Sequence, residues 1–178
     1  MPFAIEMFLD AESAETVRGV WRDLAESGVA PWMHESGARP HVTLGVCERL
    51  DVDACAGFLA DFAAVNRAPS VRFSSIGVFA TDPAVVFLAP VVTADLLDLH
   101  ARFQEQFITF AGDRWAYYLP EQWVPHCTLA MECPIAMVSR VVDLCRAISL
   151  PLDSRLEEVA IVEFRPVVLR RTFRFAGS

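Results

Sequence analysis

Short strand-like apolar runs alternate along the chain with stretches of helical spacing. Residues 3–9 are apolar apart from one acidic position and predict a first strand. Val17, Val20, Trp21 and Leu24 recur at helical spacing within residues 12–27, and Gly28 closes that helix. A loop containing Pro31, Gly37 and Pro40 leads into a strand over 41–47. Asp51 caps a helix reaching to about Val65, and residues 71–79 read as the next strand. The turn Thr81-Asp82-Pro83 opens a further strand at 85–88.

The second half runs in the same order. A helix is expected over 93–110, a loop through Gly112 and Pro120, a strand from 126, a helix over 134–148 and a strand over 156–164, with a last strand at 168–175. A shift of 85 residues lays Pro40-His41-Val42-Thr43-Leu44 on Pro125-His126-Cys127-Thr128-Leu129, and the same shift lays 71–79 on 156–164. One offset aligning a motif and a distant strand is the signature of internal duplication. Two β-α-β-α-β units that cannot each cover their apolar sheet face would pack together and leave a groove between them. The expected architecture is therefore α+β and bilobal, with two mostly antiparallel sheets facing a central groove. It forms a single domain over 1–178, with halves at about 3–80 and 84–165 and a closing strand at 168–175.

Composition supports a packed core. The chain has 178 residues and 19.8 kDa, is 54% apolar and 21% charged, and has a mean hydropathy of +0.35. Its longest apolar run, residues 84–92, is less than half the roughly 20 residues of a membrane-spanning helix. The first ten residues carry Glu6 within their apolar stretch and no basic region, unlike a secretory leader, so a soluble cytoplasmic protein is expected. Five cysteines without a C-x-x-C pair argue against a disulfide framework or a cysteine-rich zinc site. A net charge of −8 argues against duplex DNA or an anionic membrane as partner. All 15 basic residues are arginine, so any phosphate clamp is a guanidinium.

The chemistry sits in the repeated motif. Side chains alternate along a strand, so His41 and Thr43 share one face of the first motif and His126 and Thr128 one face of the second. Pro40 and Pro125 place both histidines at strand starts. One histidine taken alone reads as a satisfied core residue; two matched His-x-Thr pairs among only seven threonines do not. Two imidazoles can supply a base and an acid near neutrality, and two hydroxyls can hold the non-bridging oxygens of an anion between them. That set suits phosphoryl transfer without a metal. Glu132 is the one nearby carboxylate, and Cys47 and Cys133 add too little for a zinc site. No Gly-rich dinucleotide or Walker turn is present, and no cofactor is expected.

The paired motifs, with this element order around each, resemble the two-histidine (2H) phosphoesterase superfamily, which includes the bacterial 2'-5' RNA ligase-like proteins and cyclic phosphodiesterases. The resemblance covers nearly the whole chain. It implies that His41 and His126 are catalytic, that Thr43 and Thr128 bind phosphate, and that the substrate is a 2',3'-cyclic phosphate, a 2'-5'-linked RNA end or a small cyclic nucleotide. It leaves hydrolysis and ligation unseparated and does not say which histidine is the acid. A binding module of the same fold is the alternative, which two intact motifs disfavour.

Other candidates are placed by position in the chain. Arg39 and Arg114 precede the two motifs and are within reach of a phosphate, and Trp32, Tyr117, Tyr118 and Trp123 are loop aromatics able to stack on a base. Arg170, Thr172 and Arg174 share a strand face that reads as solvated edge. His100 reads as structural and His34 as an exposed loop residue. The acidity of the chain favours a short RNA end or a small cyclic nucleotide over long RNA, and a monomer is expected.

Overall fold

Among residues 1–177, which the computed structural model describes, the chain forms eight strands and five helices. The strands are β1 (Phe3–Leu9), β2 (His41–Leu50), β3 (Ser70–Phe79), β4 (Ala84–Pro90), β5 (Ala111–Arg114), β6 (Cys127–Cys133), β7 (Leu152–Glu163) and β8 (Val168–Arg174). The helices are α1 (Ala11–Glu26), α2 (Trp32–Glu35), α3 (Val52–Val65), α4 (Ala94–Phe107) and α5 (Val138–Cys145). No helix of the described residues is long and apolar enough to cross a membrane.

The strands pair antiparallel in the order β5-β2-β1-β7-β3-β4-β6, with β8 also on β7. The long strand β7 joins two half-sheets. Its residues 152–155 pair with β3 and its residues 156–163 pair with β1. The halves of the sequence are thereby interlaced. The β1–β2 pair is completed by β7 from the second half, and the β4–β6 pair is flanked by β3 from the first. The helices follow the same exchange: α4 packs on β2, whereas α1 packs on β6 and α5. The protein is thus the mixed α+β fold with antiparallel half-sheets that the periodicity predicts.

Residues at the junction explain the close fit. Gly45 in β2 lies under α4, and a Cβ there would come within 2.8 Å of the Phe107 ring. Leu44 and Leu129 are each the extra residue of an irregular register, since Glu6 faces Thr43 while Ile5 faces Gly45, and Phe87 faces Thr128 while Val86 faces Ala130. Both leucines are fully buried.

Several boundaries differ from those the pattern predicts. Residues 111–114 and 32–35, expected as loop, form an edge strand on β2 and one turn of helix. The helix expected over 134–148 is a 3-10 turn at Ile135–Met137 followed by α5, which ends at Cys145. β7 begins four residues earlier than its apolar run, because Leu152-Asp153-Ser154-Arg155 is a polar segment that pairs at the sheet junction. All five cysteines are free and buried, and burial pushes the Cys55 and Cys145 thiols up to about 12.

Candidate active site

Both motif histidines are held in the same way by their own chain. A carbonyl can only accept, so the 2.6 Å contact of His41 Nδ1 with the Arg39 carbonyl and the 2.7 Å contact of His126 Nδ1 with the Val124 carbonyl are ring N–H donations. In each case the acceptor lies two residues back, ahead of a proline that keeps the preceding backbone extended. With Nδ1–H so engaged, Nε2 is the nitrogen able to exchange a proton on both rings.

The threonines are fixed through their backbones. Trp123 Nε1–H donates to the Thr43 carbonyl at 2.9 Å, and Trp21 Nε1–H donates to the Thr128 carbonyl at 3.0 Å. Among the described residues neither threonine hydroxyl bonds another protein group, and both line one cavity of about 160 Å³ with His41. Val42, Leu44, Cys127 and Leu129, which alternate with the motif positions, are fully buried and anchor the strands from behind.

The surroundings of the two imidazoles differ. His126 packs edge-on against Phe79, with ring centroids 5.0 Å apart, and against Phe87 at 5.2 Å. Burial and the nearby His41 charge hold its pKa below the ordinary imidazole value, although its bond to the Val124 carbonyl works the other way. Phe87 reaches this position over Gly77, where a Cβ would come within 2.4 Å of the ring. His41 instead has the carboxylate of Glu6, whose Oε1 lies 3.5 Å from Nε2.

The remaining predicted residues separate into two groups. Trp32 and Tyr118 line the cavity. Burial, with the Glu6 charge adding to it, pushes the Tyr118 phenol up to about 12. Arg39, Arg114, Tyr117 and Trp123 do not line it. The Arg39 guanidinium bonds Glu158 at 2.7 Å and lies over the Phe8 ring, so its contribution here is the carbonyl that holds His41. Arg114 donates to Gln104 Oε1, and Tyr117 is 76% exposed. Trp123 is buried, stacked on His100 at 3.9 Å, and acts on Thr43 from behind. His100 donates from Nε2 to the Leu44 carbonyl, and burial lowers its pKa to about 4, which keeps the ring neutral. His34 is exposed on α2.

Glu6, Trp115 and Arg165 are the charged and indole-bearing cavity residues that were not expected from the sequence. Trp115 donates Nε1–H to Glu48 at 2.8 Å, and Arg165, at a left-handed φ of 67°, lies 3.5 Å from Glu132. Glu6 had a signal, a single acidic residue in an otherwise apolar strand. The other two had none, because neither belongs to the repeated motif or to the strand that the 85-residue shift aligns.

Among the described residues no three His, Cys, Asp or Glu side chains converge as a metal site. A larger open groove of about 720 Å³ lies elsewhere, but its main charges, Asp10, Arg72 and Asp153, are already bonded within the protein.

The sequence matches the 2'-5' RNA ligase superfamily over residues 10–166. No curated protein matches it. Among solved structures it is similar to TT0787 of Thermus thermophilus, with 16% identity, 100% of both chains covered and a TM-score of 0.63. It is also similar to E. coli LigT complexed with 3'-AMP, with 15% identity, 98% of this chain and 96% of that one covered and a TM-score of 0.59. LigT complexed with ATP aligns at 14% identity over 98% and 97% of the two chains, with a TM-score of 0.55. A superfamily match over most of the length, on a fold shared with LigT and carrying two His-x-Thr strands, places this chain in the 2'-5' RNA ligase superfamily of two-histidine phosphoesterases.

Proposed function

We propose that the protein is a metal-independent phosphodiesterase that opens 2',3'-cyclic phosphates at short RNA ends or on mononucleotides, using His126 as base and His41 as acid. The observation that carries this reading is the matched pair of imidazoles, each with Nδ1–H given to a backbone carbonyl so that Nε2 is the nitrogen left for proton transfer, with His41, Thr43 and Thr128 lining one cavity and His126 two residues ahead of Thr128. The nucleotides held by LigT, 3'-AMP and ATP, support a nucleotide-sized ligand. Trp32, Trp115 and Tyr118 offer ring faces to its base.

In the proposed reaction Thr43 and Thr128 hold the non-bridging oxygens. His126, whose burial against the phenyl rings lowers its pKa, takes a proton from water through Nε2. The water oxygen bonds phosphorus, the bond to one ribose oxygen breaks, and His41 gives its Nε2 proton to that oxygen. Ligation is the same path with a ribose hydroxyl in place of water: its oxygen bonds phosphorus, His126 takes its proton, and the ribose oxygen of the cyclic phosphate leaves with the proton of His41.

The test is incubation with each 2',3'-cyclic nucleoside monophosphate in EDTA, alongside His41→Ala and His126→Ala. Each variant is expected to lose about 10²–10⁴-fold in turnover while retaining its fold. Folded wild-type protein that binds 3'-AMP without opening any cyclic nucleotide is a binding module instead, and variants that keep the wild-type rate assign the chemistry elsewhere.

A further inference from the structure

We propose that Glu6 is a positioning residue for His41, its buried carboxylate holding the proton on Nε2 until the leaving oxygen takes it and then disfavouring the more highly charged product. The inference rests on the phosphodiesterase reading above and adds to it a residue outside the paired motif.

The sheet register carries the argument. Glu6 on β1 lies directly across from Thr43. The position across from Thr128 on β4 belongs to Phe87. At this place the two half-sites differ, with a carboxylate at one and a phenyl ring at the other. Glu6 is 7% exposed, and its Oε1 lies 3.5 Å from His41 Nε2, the ring nitrogen that the Arg39 carbonyl leaves free.

A carboxylate in a phosphate site requires an explanation, since an isolated buried anion there is costly and repels the substrate. With Nδ1–H already donated, a neutral His41 would turn its Nε2 lone pair toward the carboxylate, which is repulsive. A single proton between Oε1 and Nε2 removes that conflict. The pair is then neutral overall, and a phosphodiester monoanion can enter.

The groups around Glu6 favour this arrangement. Burial raises its carboxyl pKa, while the charges of His41 and Arg39 oppose that rise. The Tyr118 phenol and the Cys127 thiol, both influenced by the Glu6 charge, are held neutral at about 12, chiefly by burial. His126, beyond His41, has its pKa lowered by its own burial. Arg165, on the cavity lining, is paired with Glu132. Among the described residues His41 is thus the one group within ion-pair distance of the Glu6 carboxylate.

The proton balance gives a second consequence. When His41 has passed its proton to the ribose oxygen and His126 has released to solvent the proton it took from water, Glu6 is left as an anion with no cation at ion-pair distance, beside a phosphate monoester that is itself more negative than the diester. The same carboxylate that retained the proton now weakens product binding. Proton return from solvent to His41 restores the neutral pair.

The experiment compares wild type with the isosteric Glu6→Gln in two measurements: the pH profile of cyclic-nucleotide opening, and the affinity for 3'-AMP by calorimetry. Expected for Glu6→Gln is an alkaline limb moved down by about one pH unit, with little change on the acid limb. Product is expected to bind up to about tenfold tighter above neutrality. A purely structural role would loosen product binding and lower the rate at every pH, and either result overturns the proposal. If Glu6→Gln does not fold, ¹⁵N titration of the imidazoles in wild type and Glu6→Asp decides. A His41 resonance that titrates alike in both overturns the proposal. Wild-type protein without turnover would overturn the phosphodiesterase reading, while the imidazole titration still reports on the Glu6–His41 pair.

Discussion

At His126 the rings of Phe79 and Phe87 occupy space in which water would otherwise solvate an imidazolium, and this burial is the main reason its pKa lies below the ordinary value. A base with a lowered pKa stays neutral further into acid, so the acid limb of the pH profile is expected below the usual imidazole value of about 6.5. Phe79 is partly exposed, and Phe79→Ala admits water at modest cost to the core. The acid limb should then rise toward 6.5, with activity lost at mildly acidic pH and nearly retained above neutrality. An unmoved limb would mean that the rings do not set the proton affinity of the base. Positions repeated along the sequence could be read in advance. Strand alternation and the offset suffice to pick out His41, Thr43, His126 and Thr128; of these His41, Thr43 and Thr128 line one cavity, and His126 stands just ahead of β6. Arg39 and Arg114 precede the motifs as expected, but the chain turns their guanidinium groups onto Glu158 and Gln104, which no local pattern encodes. Glu6 was visible as a polar break in an apolar strand, yet its meaning depends on which strand lies beside it.

At the level of elements, Asp10 joins α1 to β7. Its carboxylate caps α1 by accepting the Ser13 N–H at 2.9 Å, and it also accepts the Arg155 N–H and the Ser154 and Ser13 hydroxyls. Burial alone would raise this carboxyl, but those donors outweigh it and hold the pKa below the ordinary value of 3.8. The helix so anchored carries Trp21, whose indole N–H holds the Thr128 carbonyl. Asp10→Ala is expected to cost about 2 kcal/mol at neutral pH. A carboxyl with a depressed folded-state pKa contributes stability above its unfolded value and loses it as the pH falls through the folded one. The difference in urea midpoint between wild type and Asp10→Ala should therefore be constant near neutrality and narrow below about pH 3.8. A gap independent of pH would indicate that the bonds are made without the charge. Elements with a strong apolar period, such as α1 and β2, were legible within a few residues. The start of β7 was not, since its polar first residues are fixed by their partners on β3 rather than by their own pattern. The exchange of β3 and β7 between half-sheets is also invisible locally, because either pairing satisfies the same alternation.

Charge acts on the whole molecule. With −8 overall and no lysine, the protein repels a polyanion, and carboxylates also stand near the cavity: Glu48 accepts from Trp115, and Glu132 pairs with Arg165. In the proposed function a cyclic mononucleotide places its one phosphate at the cavity, whereas a longer RNA carries further phosphates past these groups. Most nucleic-acid complexes weaken as salt rises, through loss of counterion release. Here the dominant long-range effect is repulsion, which salt screens. Raising ionic strength from about 0.01 M to about 0.15 M shortens the Debye length from about 30 Å to about 8 Å. KM for an oligonucleotide ending in a 2',3'-cyclic phosphate should fall over that range, while KM for the cyclic mononucleotide changes little. An oligonucleotide that binds more weakly as salt rises would place a basic track on the surface and oppose the preference for short ends. Two arginines of β8 are engaged within the protein: Arg170, the extra residue of an irregular register, pairs with Glu163, and Arg174 lies near Glu158, so they carry compensated charge rather than a free cationic strip.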